Sequence, residues 1–210
     1  MNSYKLPLRT ASVEFTEKKS RFIGHIARVS SEDEAVAFLH SIRAQHGEAN
    51  HNVYAYRLKD GGTCRHSDDG EPSGTAGIPL LDVFLKQDIY DFCCVATRYF
   101  GGVMLGAGGL VRAYSRCGSA ALEAAGVGIM REMTICSATL PYALYESAKR
   151  LFNSCGAAIV AESFGADVEL SISLPTEDVP ALQCNFTELT SGTVDLHITG
   201  VQMSAGEIDA

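Results

Sequence analysis

Apolar residues recur along this chain at two spacings, and the switches between them mark out its elements. Val168, Leu170, Ile172 and Leu174 alternate with other residues, the period of a strand with one buried face. On either side the spacing changes to three and four. Leu144, Ala148, Leu151, Phe152 and Cys155 predict a helix closed by Gly156, and Val179, Leu182, Phe186 and Leu189 predict another that ends at Gly192. Thr176 is placed to cap the second helix, with Glu177 and Asp178 at its positive end. Strands over 132–140, 157–162 and 193–199 complete the order βαββαβ, a ferredoxin-like domain, and the last ten or so residues read as a loose tail.

The first part of the chain is also built of strands and helices. Residues 11–16 and 20–29 read as strands. Ser31 and Glu34 form a capping box before a helix whose buried face carries Ala35, Phe38, Leu39 and Ile42, ending at Gly47. A strand over 52–58 leads into a polar, glycine-rich loop, then a helix from Thr75 to about Lys86. Residues 92–100 are almost continuously apolar, which predicts a central strand covered on both faces. A helix over roughly 108–125 presents Leu110, Tyr114, Cys117, Ala121 and Ala125 inward. The pattern breaks after Gly126 and Gly128, so the expected organisation is an α+β chain of two domains, 1–130 and 131–210.

Composition narrows the class. The chain has 210 residues, 46% of them apolar, enough to build a core for each domain and to exclude a disordered chain. No run approaches the ~18 apolar residues of a membrane span, and the N-terminus has no apolar signal core, so a soluble, cytoplasmic protein without membrane partners is expected. Residues 1–130 carry 14 Lys and Arg against 14 Asp and Glu, whereas 131–210 carry 3 against 11. The whole net charge of −8 therefore lies in the second part. Nucleic-acid affinity depends on neutralising phosphate, so any such contact belongs to the first domain, and no DNA sequence readout is expected. The seven cysteines are odd in number and form no C-x-x-C pair, so they read as reduced, mostly core residues.

Three segments could carry chemistry. In the loop from His66 to Gly77, Asp68, Asp69 and Glu71 could ligate a hard cation, or could cap turns and the following helix with Ser73 or Thr75. The spacing fits no known metal motif, and no residue is assigned to a metal or cofactor. Arg98, Tyr99, Gly101 and Gly102, followed by Gly106, Gly108, Gly109 and Arg112, run from a strand through a glycine loop into a helix start. That geometry suits an anion held by backbone N–H groups and two guanidiniums; equally, the glycines could serve close packing and positive-φ turns. His46, His51 and Asn52 stand at a strand start, without a metal or nucleophile pattern. Lys18, Lys19 and Arg21 form a basic cluster, either a solvated edge or the rim of an anion site.

These segments together resemble the IMPACT/YigZ family. The matching stretches are Lys18-Lys-Ser-Arg-Phe-Ile-Gly24, His51-Asn52, Asp68-Asp-Gly-Glu-Pro72, Gly74-Thr-Ala-Gly77, Thr97-Arg-Tyr-Phe-Gly-Gly102 and Leu105-Gly-Ala-Gly-Gly-Leu-Val-Arg-Ala-Tyr114. The acidic second domain matches the bacterial YigZ-like branch by layout. The resemblance implies a first domain like domain IV of elongation factor G, a ribosomal-protein-like sheet backed by two helices, and a second like that factor's ferredoxin-like C-terminal domain. It implies a non-enzymatic binding protein of the translation or stress-response machinery, since eukaryotic members compete for the activator of a starvation-responsive kinase. The expected site is a cleft of His51, Asn52, Asp68, Asp69, Glu71, Thr75, Arg98, Tyr99, Gly101, Gly102, Gly106, Gly108, Gly109 and Arg112, taking an anionic or macromolecular partner such as a protein, RNA or the ribosome. The alternative is an enzyme acting on a phosphate- or carboxylate-bearing small molecule at the glycine loop.

Overall fold

A computed structural model describes residues 3–207. The chain divides into two compact units, one built on Tyr4–Ile129 and the other on Met130–Ser204. In the first, β1 (Tyr4–Pro7), β2 (Ala11–Glu17) and β3 (Ser20–Arg28) precede α1 (Glu32–Gln45). They are followed by β4 (His51–Arg57), β5 (Cys64–Ser67), α2 (Gly77–Lys86), β6 (Phe92–Tyr99) and α3 (Ala107–Ala125). One antiparallel sheet runs in the order β2-β3-β6-β4-β5.

The continuous apolar run of β6 has a direct cause, because the sheet is covered twice. Cys93 and Val95 face Ala35, Leu39 and Ile42 of α1. Cys94 and Ala96 face the other way, into a core with Phe22, Val53, Leu80, Phe84, Tyr114 and Cys117 under α2 and α3. The helix on the second face adds to the two-helix backing that the resemblance implied. A Cβ on Gly24 would stand 2.9 Å from the Cys117 carbonyl oxygen, so glycine in β3 is what lets α3 lie close to the sheet.

Local departures from the pattern are instructive. β5 lies where a loop was expected; its polar residues Cys64–Ser67 become a strand only by pairing with β4. β1 was not predicted either, and is held by the Tyr90 N–H on the Lys5 carbonyl at 2.9 Å. Ser31 caps α1 by accepting from the Glu34 N–H at 3.2 Å, but the Glu34 carboxylate turns to the Ser30 N–H instead of closing a reciprocal box. The helix predicted from Thr75 starts at Gly77.

In the second unit β7 (Val127–Leu140), α4 (Tyr142–Ser154), β8 (Ala158–Phe164), β9 (Val168–Pro175), α5 (Val179–Thr190) and β10 (His197–Glu207) follow in turn. The strand order β10-β7-β9-β8 is the ferredoxin-like one. Phe152 of α4 and Phe186 of α5 stack with centroids 5.6 Å apart over Cys136, Leu140, Leu170 and Ile172. Two expectations are corrected here. Thr176 does not cap α5: it opens a 3₁₀ turn, and its hydroxyl bonds that of Thr134 at 2.9 Å. The tail read as loose is strand β10 as far as Glu207; 208–210 lie outside the described residues.

Candidate functional site

Strand alternation decides which of the expected residues can meet. Arg98 follows Cys94 and Ala96 on the α2/α3 face of β6, opposite His51 on β4. Tyr99 and Asn52 are each one residue on and face α1 instead. There the Tyr99 hydroxyl meets His46 Nδ1 at 2.9 Å, and Asn52 Oδ1 accepts from Thr97 Oγ1 at 2.8 Å. The sheet thus separates two residues of the expected cleft from its centre.

On the α2/α3 face, Arg98 is 95% buried by its relative exposure of 5% and donates from Nη1 to Glu71 Oε1 at 2.5 Å. The same oxygen accepts from the Tyr114 hydroxyl at 2.8 Å, and Arg98 Nη2 donates to Ser20 Oγ at 3.2 Å. The guanidinium lies 5.5 Å from the ring centroids of both Phe22 and Phe100, within the range of a cation–π contact. Burial, then the adjacent Glu71 carboxylate, pushes the Tyr114 phenol far above its ordinary range, so it stays protonated and donates. His51 Nδ1 must donate to the Asp69 carbonyl at 2.9 Å, since a carbonyl only accepts; its Nε2 then faces Glu71 Oε1 at 3.8 Å.

The acidic loop holds this arrangement in place. Asp68 accepts from the N–H groups of Gly74, Ala76 and Gly77 at 2.8, 3.0 and 2.7 Å, and so caps α2 from nine residues upstream. Asp69 binds Arg43 at 2.7 Å and the Asn52 N–H at 2.6 Å. Thr75 closes a turn onto the Pro72 carbonyl. The three carboxylates point to separate protein partners, and among the described residues no group of three His, Cys, Asp or Glu is arranged to hold a metal. Gly101 packs edge-on against the β2–β3 turn, where a Cβ would stand 1.8 Å from the Lys19 carbonyl oxygen. Gly102 and Gly106 both have positive φ.

Above the buried ion pair opens a cavity of about 320 Å³, walled by Pro72, Phe100, Met104, Leu105, Gly106 and Leu110, with His51, Glu71 and Arg98 at its polar end. Of the expected site residues it gathers His51, Glu71, Arg98 and Gly106. Arg112 and Gly109 line a different cavity, beside Lys18. The lining is mostly apolar and its one strong cation is already paired, which differs from the anion cleft expected from the sequence. The residues singled out from the sequence did not include Phe100, though it lies within the Thr97–Gly102 stretch, or Met104; they are 47% and 85% exposed, and the available signal was two large apolar residues set in a glycine-flanked loop.

The Impact N-terminal domain model matches residues 18–122, and a second, described as a domain of unknown function, matches 139–193. The chain is 36% identical over 197 residues to the IMPACT family member YvyE of Bacillus subtilis, covering 93% of this chain and 91% of that protein. This chain belongs to the IMPACT family. It is also 31% identical over 199 residues to the Escherichia coli family member YigZ, spanning 93% of this chain and 98% of YigZ. A crystal structure of a hypothetical protein superposes with a TM-score of 0.60 at 30% identity, covering 95% of this chain and 98% of that one. The Arg98 cavity falls wholly inside the stretch that matches the IMPACT domain, and the cavity beside Lys18 does so except for Glu17.

Proposed function

We propose that this IMPACT-family chain is a non-enzymatic regulator in translation or the stress response, and that it works by holding a protein or ribosomal partner at the Arg98 cavity. The observation that carries this reading is the exposed pair Phe100 and Met104 beside an apolar cavity with a rigid, charge-neutral floor. An apolar side chain of a partner can enter such a cavity and be buried at about 25 cal/mol per Å² of surface removed from water. The hydrogen-bonded floor keeps the cavity's shape without the ordering cost that a flexible site would incur. Binding is favoured over turnover because the Glu71 carboxylate is already engaged by both Arg98 and Tyr114, and none of the three is left as a free acid, base or nucleophile. Sedimentation of lysates from growing and starved cells tests the proposal. The intact chain is expected to travel with ribosomal particles at low salt, and Met104→Asp and Phe100→Ser to remain at the top of the gradient. An intact chain that stays at the top in both conditions contradicts it.

A further inference from the structure

Two of the family-like segments contribute residues that the Arg98 network leaves unused. Lys18 and Lys19 are the two residues of the turn joining Glu17 of β2 to Ser20 of β3, and both have positive φ, 43° and 67°. A two-residue hairpin turn of this kind favours asparagine and glycine, because a Cβ is strained there. Across from the turn, Arg112 and Arg116 stand one helical turn apart on α3, both exposed. Like charges at that spacing repel.

These two locally unfavourable choices converge. Lys18, Arg112 and Arg116 line one cavity of about 160 Å³, with Leu105 and Gly109 in its wall. Its only acid is Glu17, 3.8 Å from Arg116. The Arg116 guanidinium is also fixed over the Phe15 ring at 4.3 Å, which sets its direction. Arg112 folds back along its own helix, with Nη1 3.6 Å from where a Gly108 Cβ would be. Among the described residues Lys18, Lys19 and Arg112 form no ion pair. Local rules are broken together chiefly at functional or strained sites.

We propose that this cavity is a phosphate site which holds the sugar–phosphate backbone of a nucleic-acid strand. Guanidinium groups offer phosphate oxygens paired N–H donors, and the lysines add point charges beside them. The cations are exposed and come from two elements, a layout that tracks successive phosphates rather than enclosing one small molecule. A contact made to phosphates rather than to base edges carries no sequence preference. The site is separate from the Arg98 cavity, and its test does not depend on what fills that cavity.

Fluorescence anisotropy of a labelled, mixed-sequence single-stranded RNA, titrated with the full chain at several salt concentrations, is the experiment. About three phosphates engaged predict a slope of log affinity on log salt near −2. Arg112→Ala and Lys18→Ala are each expected to weaken binding about fivefold and to flatten that slope by about 0.7. Arg112→Lys should recover part of the loss, whereas Arg150→Ala should leave binding unchanged. The lysine and both arginines are exposed, and unchanged thermal melting of each variant separates lost contact from lost fold. The proposal is overturned by absence of binding at low salt, or by binding that Lys18→Ala and Arg112→Ala leave intact. It is equally overturned if polyglutamate or a nucleoside monophosphate competes as well as RNA at matched charge.

Discussion

Burying the Arg98 guanidinium removes it from water; Glu71, Ser20 and two aromatic rings stand in for that water, Tyr114 bonds the same Glu71 oxygen, and among the described residues Nε is left without a hydrogen-bond partner. The pair is asymmetric in consequence: its presence adds modest net stability, but its rupture strands a buried charge. Glu71→Gln is expected to lower stability by about 3–5 kcal/mol, read as a shift of the urea midpoint. A second titratable residue lies on the opposite face of the sheet. His25 is held at about 4 by burial and by neighbouring His46, from an ordinary value of 6.5, and among the described residues its Nε2 has no hydrogen-bond partner. Between those two values the unfolded chain takes up a proton that the folded chain refuses. Stability is therefore full above pH 6.5 and declines as pH falls towards 4. Thermal midpoints measured from pH 6.5 down to about 5, above most carboxylate titration, are expected to fall in the parent and to stay nearly level in His25→Gln.

Among the elements, the entry to α2 shows how the acidic loop acts on structure. Burial alone would raise the Asp68 carboxyl, but N–H donors from Gly74, Gly77 and Ala76 outweigh it and hold the group below its ordinary value. Its contribution is present above the usual carboxylate range and is lost as pH falls through that lowered value. Asp68→Ala removes a helix cap and should cost about 1 kcal/mol at neutral pH. Gly101→Ala is expected to be far more damaging, because the Lys19 carbonyl occupies the space its Cβ needs. Circular dichroism melting should show a larger drop for it than for Gly102→Ala, whose Cβ would meet nothing within 4 Å and bear only the positive-φ strain. Periodicity exposed the inner face of α3, since Leu110, Tyr114, Cys117, Ala121 and Ala125 are all buried. It also contained the separation of His51 from Asn52 and of Arg98 from Tyr99, as neighbours on a strand cannot share a face. The Arg98–Glu71 bond was not legible: it joins residues 27 apart through the path of a glycine loop. Polar β5 was hidden because its strand character comes from β4, not from its own residues.

For the whole molecule, each unit has its own apolar core, with Phe22, Phe84 and Phe92 in one and Phe152 and Phe186 in the other. Phe186→Ala should cost about 3–5 kcal/mol and lower amide protection across 130–204 more than across 4–129, as read by hydrogen exchange. The net charge of −8 belongs to residues 131–210, so a neutral first unit can present apolar and basic surfaces that the bulk composition conceals. The Arg98 cavity is the place where a partner is proposed to be held. A photo-crosslinking amino acid put at Met104 of the full chain, with the exposed Ile198 as a control position, tests this in living cells. A discrete crosslink to a translation component is expected from position 104, lost when Phe100→Ser is added, and none from position 198. The same crosslinks from both positions, or none from position 104 in growing and starved cells, would contradict it.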